Sequence, residues 1–108
     1  MDFKEIISQT EKLADEFKAK EQREWGVEAM MVELMKQVGQ LSQHVMMHEE
    51  YYLAKRDQQS EYDTSKQHIA DELFDVIFMS IRIARHYNID LEKEYVEALQ
   101  RAHEYVSK

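Results

Sequence analysis

Residues 27–47 read VEAMMVELMKQVGQLSQHVMM, and residues 66–87 read KQHIADELFDVIFMSIRIARHY. Neither stretch contains proline, and Gly39 is their one glycine. In the first, Val27, Met30, Met31, Leu34, Met35, Val38, Leu41 and Val45 recur at helical spacing. In the second, Ile69, Ala70, Leu73, Val76, Ile77, Ser80, Ile81, Ile83 and Ala84 make a face wide enough for the central helix of a bundle. Each stretch carries a polar pair three residues apart beside its apolar stripe, Gln37 with Gln40 and Glu72 with Asp75.

The flanks fit the same pattern. Residues from about Phe3 to Lys20 place Phe3, Ile6, Ile7, Leu13, Ala14 and Phe17 at helical intervals. Trp25-Gly26 marks the boundary before the second helix. Asp57 to Asp63 reads as a polar loop, and Thr64-Ser65-Lys66-Gln67 resembles a capping box opening the third helix. Asn88-Ile89-Asp90 is a short turn with Asp90 as N-cap of a last helix carrying Leu91, Tyr95, Ala98, Leu99 and Ala102. The whole chain, residues 1–108, is expected to form a single all-α domain, an antiparallel four-helix bundle.

Composition supports this and excludes other classes. There is no proline or cysteine and there are only two glycines, so turn-rich β folds, disulfides and thiolate metal sites are out. A net charge of −8 opposes binding to nucleic-acid phosphates, although a divalent cation can bridge an acidic protein to a nucleotide. No apolar run reaches the ~20 residues of a membrane span, and the first residues do not form a signal peptide, so a soluble cytoplasmic protein is expected. Five methionines between positions 30 and 47 suggest an adaptable packing surface, either core or a subunit interface.

Glu72 and Asp75 lie one helical turn apart at the edge of the apolar face, the oxygen chemistry that Mg2+ prefers. Glu33, Gln37, Gln40 and His44 fall along one edge of the second helix, and His68, Glu72 and Asp75 along an edge of the third. His44 and His68 occupy corresponding edges, so a transition-metal site of two histidines and two carboxylates is conceivable beside the plainer reading of core-edge histidines. In an antiparallel hairpin, Gln40 faces Glu72 and Gln37 faces Asp75 only if the pairing is centred on residue 56. A second helix running to Arg56 would leave its arm about 12 Å too long, so that helix must end or bend near His48 to Tyr51, or the segment after it must fold back.

The run from Ile69 to Phe78, followed by Ile83 to Leu91, resembles the second half of the MazG-like, all-α NTP pyrophosphatase family. That family shows an E-x-x-D on a helix and a turn of the "gidl" type into the last helix. Residues 32–41 resemble its first half, E-E-x-G-E-L, with Gly39 and Leu41 in place. Trp25 is similar to an aromatic found just before that helix. The resemblance covers about residues 20 to 105. It implies hydrolysis of a nucleoside triphosphate to the monophosphate and pyrophosphate, with Mg2+ as cofactor and assembly as a homodimer or homotetramer.

Carried over by position, Glu72 and Asp75 match the family's metal ligands. Gln37 and Gln40 stand where two glutamates belong, and Lys36 where a third often sits. An amide oxygen can ligate Mg2+ but brings no charge, so four carboxylates become two. Weak Mg2+ binding and weak or lost pyrophosphohydrolase activity are the expectation. The alternative is a non-catalytic nucleotide-binding or scaffolding helical oligomer. Glu33, one turn before Gln37, is a candidate replacement ligand. Trp25 is a candidate base-stacking residue. In the last helix, Glu97 and Arg101 fall where the family often has a lysine and an asparagine for phosphate, leaving Arg101 as a candidate substrate contact.

Overall fold

A computed structural model describes residues 1–52 and 66–108. All regular secondary structure among them is helical: α1 (Phe3–Lys18), α2 (Val27–His48), α3 (Lys66–His86) and α4 (Leu91–Val106). The all-α class expected from the sequence is therefore the observed one. The loop expected at residues 57–63 and the N-cap at Thr64 lie outside the described residues.

Helix ends follow local chemistry. The Asp2 carboxylate caps α1 by accepting from the Glu5 amide at 2.8 Å, and Asp90 caps α4 by accepting from the Lys93 amide at 3.2 Å. α2 stops at His48 in a double turn: Tyr51 N–H donates to Met46 O and Glu50 N–H to Met47 O, both at 3.0 Å. Glu50 takes a left-handed conformation there, with φ 61°. α3 ends the same way, with Ile89 N–H on Ala84 O at 2.9 Å, Asn88 N–H on Arg85 O at 3.0 Å, and Asn88 at φ 55°. Asparagine tolerates this conformation, whereas at Glu50 it costs roughly 1 kcal/mol. α2 thus ends inside the window that the hairpin register requires.

The chain divides into two compact units, Met1–Val27 with Ile81–Lys108, and Glu28–Ser80. α3 runs through both, residues 66–80 belonging to one and 81–86 to the other.

In the first unit the buried side chains are Ala14, Ile81, Ala84 and, unusually, Arg82. A buried guanidinium needs partners on every side. Arg82 finds them in Glu21, through two hydrogen bonds of 2.9 and 2.8 Å, and in the Trp25 ring, whose centroid lies 4.9 Å from Cζ. Arg85 makes a second tie, to the Asp15 carboxylate at 2.8 Å and the Glu11 carbonyl at 3.1 Å. These bonds fasten α1 and the segment after it to the end of α3. Phe3 meets Tyr95 edge to face at 5.6 Å, joining α1 to α4.

In the second unit the buried apolar residues among those described are all methionines: Met30, Met47 and Met79. The apolar stripes are otherwise only partly covered. Met31, Met35, Val38 and Val45 on α2 and Leu73 and Ile77 on α3 are exposed, against the expectation of a wide buried face. α4 has no buried residue at all. Helical spacing identifies which residues share a face, but it carries no information on what covers that face.

Candidate functional site

The site lies within the second unit, where α2 and α3 run antiparallel. His44 and His68 stack with ring centroids 5.3 Å apart and planes 10° from parallel. Their positions sum to twice 56, so they pin the register that sets Gln40 level with Glu72 and Gln37 level with Asp75. His44 Nε2 also stands 3.9 Å from Glu72 Oε1, with both side chains largely buried.

Glu72 is the most constrained group. Its Oε2 is buried and has no hydrogen-bond partner among the described residues. Burial pushes its carboxyl above the ordinary range, the Asp75 carboxylate one turn on adds to this, and His44 and Lys36 pull the other way. Asp75 is raised for the same leading reason, with Asp71 and Glu33 as further negative neighbours and Lys36 opposing.

On α2, Gln37 Nε2 donates to Glu33 Oε1 at 2.7 Å. That bond fixes the amide's orientation, because the reverse would set two oxygens against each other. Gln37 Oε1 is therefore directed elsewhere, and it too is buried with no donor among the described residues. Lys36 Nζ reaches the same Glu33 oxygen at 3.2 Å. Glu33 is thus neutralised by Lys36 and occupied by Gln37, which leaves it a poor third anionic ligand. Gln40 is exposed.

The helical edges bring Glu33, Gln37, Glu72 and Asp75 into one neighbourhood, with Lys36 at its rim. Trp25 and Arg101 belong to the first unit. Trp25 is half-buried with Arg82 across one ring face, and Arg101 is exposed on α4. The sequence reading missed the Arg82–Glu21 pair. A single arginine in the apolar stripe at the end of α3 was the available signal. Two acceptor oxygens from different helices, each buried and lacking a donor, suit a cation. No group of three His, Asp or Glu side chains among the described residues is arranged as a ready metal site.

No protein-family model matches the chain, and neither the curated proteins nor the solved structures yield a match. No helix among the described residues is long and apolar enough to cross a membrane.

The raised Glu72 carboxyl fixes a sign. A carboxyl whose folded value exceeds its unfolded one weakens the fold when ionised, and this cost disappears below the unfolded value. Glu72→Gln should therefore raise the melting temperature at pH 7, by about 4–8 °C if about 1 kcal/mol is recovered. The gain should shrink as pH falls toward about 4.3. Thermal unfolding of both proteins between pH 4 and 8, without divalent cations, checks this. A pH-independent difference would contradict it.

Proposed function

We propose that this chain is a helical nucleotide-binding domain of the all-α NTP pyrophosphatase type, with a charge-depleted Mg2+ site and weak or lost hydrolytic activity. The observation carrying the proposal is the pair of orphaned oxygens, Gln37 Oε1 on α2 and Glu72 Oε2 on α3. A buried acceptor without a donor costs about 1–3 kcal/mol, so two of them on facing edges favour a ligand that satisfies both. Glu72 and Asp75 would supply the anionic oxygens and Gln37 a neutral one. Bound Mg2+ would neutralise and orient the phosphates of a nucleoside triphosphate.

Lys36 explains the weakness. It stands where the family often has a glutamate, and its charge is near enough to steady both Glu72 and Asp75. It acts as a partial resident counter-ion, and it holds Glu33 away from ligand duty. The amides at 37 and 40 remove two further charges.

The exposed apolar residues of α2 and α3, among them Met31, Met35, Leu73, Phe74 and Ile77, support association with a second copy. Light scattering at micromolar concentration should give at least twice the chain mass of 13.0 kDa. A monomer would remove this part of the proposal.

The activity test is pyrophosphate release from a panel of nucleoside triphosphates with Mg2+ or Mn2+, alongside Mg2+ calorimetry. The parent chain should release little or no pyrophosphate and bind Mg2+ in the millimolar range or more weakly. Gln37→Glu with Gln40→Glu should tighten Mg2+ binding at least about tenfold, about 1.4 kcal/mol. The double variant should also become thermally stabilised by added Mg2+. Micromolar Mg2+ affinity in the parent chain, or no response in the variant, would overturn the reading.

A further inference from the structure

α4 has an apolar side that the described residues leave uncovered. Every residue from Lys93 onward is exposed, and Leu91 and Glu92 at its start are half-buried. The helix meets α1 near that start. Tyr95 lies edge to face with Phe3 at 5.6 Å, and Leu91 lines an open cleft with Ile7. α1 therefore runs back along α4 from Phe3, and the later turns of α4 extend past the first residue of α1. At 100° per residue, Tyr95, Ala98, Leu99, Ala102, Tyr105 and Val106 still fall within one arc of about 120°. A helix of 16 residues is little longer than the ~12–15 that are marginal in water, and helices in proteins draw most of their stability from packing such a face.

The charges beside the arc say what fits it. Glu94, Arg101 and Lys108 recur every seven residues along one flank, the acid first and the bases last. Two copies of α4 related by a two-fold axis across the helix run antiparallel and bring this same flank of each together. Glu94 of each copy then stands beside Arg101 of the other, twice over by symmetry. A parallel pair instead sets the acidic first turns, with Glu92 and Glu94, against each other. The antiparallel register also places Leu91 opposite Ala102 and Tyr95 opposite Ala98, large against small, which lets the helices approach closely.

We propose that α4 is a self-association surface that pairs antiparallel with α4 of a second copy of this chain. Its residues belong to the first unit, whereas Met31, Met35, Leu73, Phe74 and Ile77 belong to the second. The contact is thus additional to the association through α2 and α3, and it needs neither metal nor nucleotide.

The chain has no cysteine, so single introduced cysteines report on α4 alone. In this register the two Ala98 positions are three residues apart along the helices, so their Cα atoms lie about 9 Å apart when the axes are about 8 Å apart. A short bis-maleimide should join Ala98→Cys chains into dimers at micromolar concentration. Gln100→Cys, on the far side of the helix, should stay largely unlinked. Sedimentation equilibrium gives a second readout. Arg101→Glu and Glu94→Arg should each weaken self-association at least about tenfold, because each sets two like-charge pairs together. The two changes combined should restore it to within about threefold. Equal linking at positions 98 and 100, one affinity in all variants, no recovery in the double variant, or a monomer at every concentration would overturn the proposal. Association that ignores all the α4 variants would leave the α2 and α3 contact standing.

Discussion

The antiparallel register of α2 against α3 is the constraint on which the candidate site depends. A shift of one residue on either helix would rotate the polar edge by about 100° and bury it in the apolar stripe or expose it fully. The register is marked by the stacked pair His44 and His68, and the buried apolar side chains of this unit are Met30, Met47 and Met79. It also requires α2 to stop at His48, and the chain achieves this with a left-handed residue at Glu50 in place of the usual glycine.

Given that register, the electrostatics of the edge follow. Glu72 and Asp75 are half-buried beside each other, so both carboxyls are harder to ionise than on a surface. The facing edge answers with amides rather than further acids, and with a lysine at the rim. Gln37 turns its donor toward Glu33, and among the described residues Gln37 Oε1 and Glu72 Oε2 are buried without a donor. The edge sets two carboxylates opposite amides and a lysine, with no group of three acidic or histidine side chains among the described residues able to hold a metal ion.

Much of this was legible in the sequence. Helix boundaries came from the glycine at 26, the N-cap at Asp90 and the Asn88 turn. The residue-56 centre of the hairpin came from the spacing of the two polar pairs, and the His44–His68 stack has the same centre. Burial was less legible. Periodicity assigned Met35 to the apolar stripe of α2 and Leu73 and Ile77 to that of α3, yet all three are exposed, because coverage depends on partners that local spacing does not encode. The Arg82–Glu21–Trp25 cluster was also hidden, since its members are 61 and 57 positions apart in sequence and meet only in the folded chain. Likewise, sequence spacing showed Glu33 on the right edge but not that Lys36 and Gln37 occupy it.

The central claim is that Glu72 and Asp75 line a buried cation cradle short of charge. Titration of their side-chain carboxyl carbons by 13C NMR, with and without Mg2+, addresses it most directly. Without metal, both groups should titrate above the ordinary carboxylate range, and millimolar Mg2+ should shift both resonances and lower both midpoints. Ordinary midpoints that ignore Mg2+ would contradict the claim and return Glu72 and Asp75 to the solvated surface of an acidic helix.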